Sequence, residues 1–151
     1  MTPPARTALV LVMIAAAISV LAGCSLLGPA RASDGRVTSS SVINSPDLLV
    51  GDCFIFVDDS HEKSTVAPCT TKHDYVVIGS GTLLDAKIAA AGGLQNAVSA
   101  SCTPDFETFA AAKAEGAKPE QQFVVSSTVK DSVTVTSYLC VATAGTAEAA
   151  G

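Results

Sequence analysis

The 151-residue chain has no tryptophan and only five phenylalanines and two tyrosines. So few rings give little support to a sugar-stacking surface, and Phe54, Phe56, Phe106, Phe109 and Phe123 read more simply as core. Charged residues make up 15% of the chain, nine basic against fourteen acidic. That balance argues against nucleic acid as a partner, because phosphate binding needs a surplus of Lys and Arg. Neither His-Glu-x-x-His nor paired Cys-x-x-Cys occurs. "GSGTLL" has Leu84 where a dinucleotide-binding loop needs its third glycine, and Ser80 within it lacks the Gly-x-Ser-x-Gly elbow of a hydrolase. No internal repeat is visible. Neither an enzyme nor a cofactor is expected.

What is present begins at the amino terminus. "MTPPART" carries Arg6 and no acid, and Ala8 to Gly23 follow as an almost unbroken apolar run. Those residues have the layout of a secretory leader, residues 1–23. As a helix they would rise only about 24 Å, against a hydrocarbon core of about 30 Å. Leu21-Ala22-Gly23-Cys24 resembles the bacterial lipobox, in which the cysteine thiol receives a diacylglyceryl group before cleavage on its amino side. The resemblance implies lipidation at Cys24, with palmitate-type chains holding the mature protein on the outer face of the cell membrane. Removing Arg6 with the leader leaves eight basic residues against fourteen acidic ones, a formal charge of −6. Attachment would then come from acyl chains rather than from charge.

Residues 24–46, with two glycines, two prolines and six serines, show no sustained period and read as a flexible tether. As coil, some 22 residues span roughly 25 Å. The domain proper is expected over 47–143, followed by a small-residue tail at 144–151. Within it, a turn at Gly51-Asp52 precedes a short strand through Phe54–Val57, and "STVAPC" and "HDYVVIGSGTLL" supply two more. Gly79 and Gly81 suggest a bulge or an exit turn. An Ala-rich stretch then gives two helical turns stopped by Gly92-Gly93, and Leu94, Val98 and Cys102 form a stripe on the next helix. Thr103-Pro104 reads as the cap and first residue of another helix, with Phe106 and Phe109 facing the core and Lys113 reaching water. A closing hairpin turns at Lys130-Asp131-Ser132, with Val133, Val135, Leu139 and Val141 alternating against their neighbours. The fold class is α+β: a small, mostly antiparallel sheet with two or three short helices, stapled by disulfides.

With Cys24 set aside, Cys53, Cys69, Cys102 and Cys140 remain, an even number suited to an oxidising compartment. Of three possible connectivities, Cys53–Cys69 with Cys102–Cys140 is preferred, since each pair joins neighbours in the expected topology; the other two stay open. "VGDCF", "APCTTKHDYVV", "SASCTPDF" and "YLCVA", taken in order, resemble the septum-formation-related domain of actinobacterial envelope proteins over about residues 48–142. The chain departs from that pattern at Lys72, where proline usually precedes the histidine, and at Val76, where an acid usually stands. The resemblance implies an envelope address and a link to septum formation or wall growth rather than a reaction.

Asp58, Asp59 and His61, with His73 and Asp74, form the best polar constellation, since a hairpin could bring the two groups together. As a bland alternative, Asp58–Lys63 is a solvated turn, and His73 bonds a backbone carbonyl next to a disulfide. Three functions follow: a lipid-anchored binding domain whose partner is an envelope protein or a wall component, a metal- or small-ligand carrier using His61 and His73, or an envelope hydrolase. The first is the expected one.

Overall fold

Among the described residues, alternating β-branched residues build six strands, and the alanine-rich centre of the chain builds two α-helices. The computed structural model describes residues 28–113, 116–130 and 133–144. The leader, Cys24, the tail from residue 145 and the turn residues Asp131 and Ser132 lie outside them. Strands β1 (Ser41–Asn44), β2 (Cys53–Phe56), β3 (Lys63–Ala67) and β4 (Tyr75–Leu84) come first. Helices α1 (Asp85–Ala90) and α2 (Leu94–Ala111) follow, then β5 (Gln121–Lys130) and β6 (Val133–Thr143). The strands form one sheet in the order β1-β3-β2-β4-β6-β5, antiparallel at every pairing. The α+β class and mostly antiparallel sheet therefore hold, and both preferred disulfides form, Cys53–Cys69 and Cys102–Cys140. Among the described residues no helix is long and apolar enough to cross a membrane.

Three expectations are corrected. Thr103-Pro104 does not start a new helix, because α2 runs through Pro104 without a break. Proline removes one N–H from the ladder, and hydroxyls bind carbonyls on either side of it: Ser101 to Ala97 at 2.8 Å, Thr103 to Ser99 at 2.9 Å and Thr108 to Pro104 at 2.9 Å. Phe109 is only half-buried, with the Lys113 ammonium 4.3 Å from its ring centre. The presumed tether is also shorter than expected. Ser41–Asn44 pair with β3, Ile43 packs on the core, and Val37 is buried within it. Arg31 forms a bridge with Val37 further upstream. The fold thus starts well before Asp47.

A short 3-10 helix, Ser45–Asp47, follows β1 at one edge of the sheet and packs against β5 at the other. The sheet must therefore curl, and its inner face encloses Val37, Leu48, Phe54, Val66, Val77, Leu139 and Val141. Helices α1 and α2 cover the opposite face over Leu83, Ala97, Val98 and the Cys102–Cys140 bridge. A register slip between Val77 and Gly79 makes both packings possible. Val77 opposes Val141 in the inner core; beyond the bulge, Leu83 opposes Thr136 and faces the helices.

Gly81 lies opposite Tyr138, whose ring folds over the position a side chain would take. A Cβ on Gly81 would stand 2.6 Å from Tyr138 Cζ and 3.0 Å from Cε1. Gly81→Val should therefore destabilise by about 1–3 kcal/mol, measured as a lower urea midpoint at constant m-value. Adding Tyr138→Ala should recover part of that loss. An unchanged midpoint would mean the ring swings clear.

Candidate functional site

The Gly-Asp-Cys motif is accounted for atom by atom. Residues Leu49–Asp52 make a turn closed by the Asp52 N–H on the Leu49 carbonyl at 3.0 Å, with Gly51 at φ 92°, a conformation that favours glycine. The second half of that turn joins β4: Gly51 donates to the Val77 carbonyl at 2.8 Å, and Val77 donates to that of Asp52 at 2.9 Å. The Asp52 carboxylate is 2% exposed. Arg31 Nη1 donates to its Oδ1 at 2.6 Å and Nη2 to Oδ2 at 2.8 Å, while the Leu49 N–H reaches Oδ2 at 2.8 Å. This is a bidentate, charge-assisted clamp. Hydrogen bonding to Asp52 raises the Arg31 pKa, against the opposing effect of burial, so the guanidinium stays charged. Arg31 Nη1 also holds the Gly35 carbonyl at 2.9 Å, which tightens the bend before Val37.

Sequence reasoning missed Arg31. Its partner is 21 residues away, and no local pattern marks one arginine in a serine-rich segment as buried against an acid.

Beside this clamp lies a cleft of about 280 Å³, lined by Val37, Ala67 and Pro68 together with the Cys53–Cys69 disulfide. Thr38, Thr70 and Arg36 supply polar atoms. Arg36 is held by Asp34, its Nε 2.6 Å from Oδ2. The Asp34 carboxyl lies below the usual carboxylate range, chiefly because it accepts the Arg36 backbone N–H. Aliphatic walls with a few hydroxyls suit contact with an apolar or neutral polar group.

Asp58, Asp59, His61, His73 and Asp74 do not converge on one site, and Asp59 is exposed. Asp58 is exposed, and its Oδ1 accepts from Ser60 Oγ at 2.5 Å and from the Ser60 N–H at 3.0 Å, which lowers its pKa. His61 is also exposed, adopts φ 58° and stacks on Phe56 with ring centres 4.1 Å apart. His73 is buried and its Nδ1 lies 2.8 Å from the Thr71 carbonyl, so that nitrogen carries the proton and donates. The expected carbonyl bond beside the disulfide is therefore present. Asp74 is exposed and joins the fold through its backbone, its N–H on Phe54 and its carbonyl on Ala144. Among the described residues no group of three or more His, Cys, Asp or Glu is placed to hold a metal ion. Ser80 lies on β4 roughly 16 Å beyond Tyr75, at about 3.3 Å per residue, which separates it from His73.

The geometry thus provides a clamp and a cleft at one end of the sheet. Compared with protein-family models, curated proteins and solved structures, the chain matches none of them, so its function is argued from its own residues.

Proposed function

We propose that this chain is a lipid-anchored cell-envelope protein that acts by binding, its partner being an envelope protein or a wall component. One observation carries the reading. With Cys53 paired to Cys69 and Cys102 to Cys140, Cys24 is the single cysteine left over, and it follows Leu21-Ala22-Gly23 at the end of an apolar leader. Two disulfides are in keeping with an oxidising compartment outside the cytoplasm. The resemblance of the four-cysteine pattern to a septum-formation-related domain supports a role in septum formation or wall growth, and the cleft beside Cys53–Cys69 is the surface on which a partner would sit.

Two experiments test this. Cys24→Ala should move the protein from the membrane to the soluble fraction, with most of the detergent-phase material lost; unchanged partitioning refutes lipidation. Photo-crosslinking in live cells addresses the partner. A photoreactive residue at Thr70, exposed in the cleft, should capture an envelope component that the same residue at the exposed Thr82 does not. Equal capture at both positions would remove the cleft as the binding surface.

A further inference from the structure

The Arg31–Asp52 clamp changes the reach of the anchor. Only seven residue steps separate Cys24 from Arg31, and at most about 3.3–3.6 Å per residue they span no more than ~25 Å. Had the chain been free to Asp47, its full extension would have been roughly 76–83 Å. The clamp also determines which part of the domain stands nearest the anchor. Asp52 binds Arg31 and the Leu49 N–H with the same carboxylate, so the chain enters the fold beside the Leu49–Asp52 turn.

That turn is apolar and exposed. Leu49 is 54% and Val50 56% accessible, and Gly51 follows at the surface. Asp52 is the acid of the turn, buried and neutralised by Arg31, so bringing the turn against lipid desolvates no unpaired charge. Of the nearby exposed ions, Asp34 and Arg36 form a pair, while Asp47, two residues before Leu49, accepts from the Asn44 side-chain amide at 2.9 Å. A mature chain with formal charge −6 is not drawn to anionic lipid by charge, so any contact here is an apolar one.

We propose that Leu49 and Val50 rest on the lipid surface from which the domain hangs, fixing one end of the sheet toward the membrane. The inference deepens the anchor reading and rests on it. The β5–β6 hairpin end provides an internal contrast. Gly51 bonds to Val77, which pairs with Val141, whereas Val129 pairs with Thr134, seven residues further along β6 and roughly 24 Å away at about 3.4 Å per residue. Val129 is 74% exposed, so apolar exposure alone does not distinguish the two ends.

The absence of tryptophan makes the test direct. Leu49→Trp, Val50→Trp and Val129→Trp variants of the full chain are purified from membranes, placed in phosphatidylcholine vesicles and measured with and without brominated acyl chains. The Leu49→Trp and Val50→Trp proteins should each lose about half their emission to bromine, as expected for side chains in the headgroup–acyl boundary, and Val129→Trp almost none. Equal quenching at positions 50 and 129, or none at 49 and 50, overturns the proposal. The mass of the same samples reports whether Cys24 is acylated. If it is not, the anchor reading fails by itself; coupling Cys24 to a maleimide-headgroup lipid then restores the tether, and the same quenching contrast decides the orientation.

Discussion

Replacing Cys102 and Cys140 together by alanine should lower the unfolding free energy by roughly 4 kcal/mol, the chain-entropy value for a closure of this size. The two cysteines are 38 residues apart, and both are fully buried between α2 and β6. A domain of this length has only about 5–15 kcal/mol in total, so the variant should sit near its stability limit. Cys53→Ala with Cys69→Ala opens a shorter loop, 16 residues in separation, and should cost roughly 3 kcal/mol. Guanidinium titrations of the two double variants give both numbers. Hydrogen exchange adds a spatial criterion: without the Cys102–Cys140 bridge, amides of α2 should lose protection before those of β4 and β6. A loss below about 1 kcal/mol would mean that packing around Leu83, Ala97 and Val98 holds the helical layer without the bond.

Arg31→Met should be as damaging as a large truncation in the core. It keeps an apolar stem but leaves the Asp52 carboxylate, 2% exposed, with only the Leu49 N–H. Removing one partner of a buried ion pair costs about 3–5 kcal/mol, and the 21% exposure of Arg31 places the expected loss near the lower figure. Combining Arg31→Met with Asp52→Leu should cost clearly less than the sum of the single changes, because no charge is then stranded. Limited proteolysis should find new cleavage between residues 31 and 40 in Arg31→Met and not in the parent. Additive losses would show that the two side chains do not act as a pair. The sign with pH is fixed by the raised Arg31 pKa. Its contribution is fully present below the ordinary arginine value and is lost only as pH rises through the raised one, so the clamp should hold unchanged from neutral into alkaline solution. On the acid side the lowered pKa values of Asp34 and Asp58 act oppositely. What they contribute is present above the usual carboxylate range and is lost as pH falls through their lowered values.

Where local pattern and long-range packing agreed, the sequence was readable. Tyr75–Leu84 and the Gln121–Thr143 hairpin announce themselves by β-branched runs, and Gly92-Gly93 ends α1 where chain chemistry says it should. The disulfide pairs followed from placing neighbours in that topology. β1 was not readable, since four residues, Ser-Val-Ile-Asn, are too few to show a period and are held by pairing with Lys63–Val66. Pro104 misled because proline is at home in a first helical turn. Its place within α2 is supported by hydroxyl contacts and by Cys102, two residues earlier, bonded to β6. The clamp half of the site was half legible: "VGDCF" drew attention to Asp52, but the cation it needs is set by folding rather than by spacing. The histidines were conspicuous by type, and the fold directs one to an aromatic ring and the other to a carbonyl.

The amino-terminal connections also determine how the domain would respond to mechanical tension. A pull applied upstream of Arg31 would load the bidentate pair with Asp52 first, then peel β1 from β3 one pairing at a time, starting at Ser41–Val66. Unravelling would skip from Cys53 to Cys69, since the force would then pass through sulfur and bypass the whole β2–β3 loop. The Cys53–Cys69 bond in this sense keeps β2 and β3 from being drawn out, and hands the load from an extensible stretch of some twenty residues to the chain that follows Cys69.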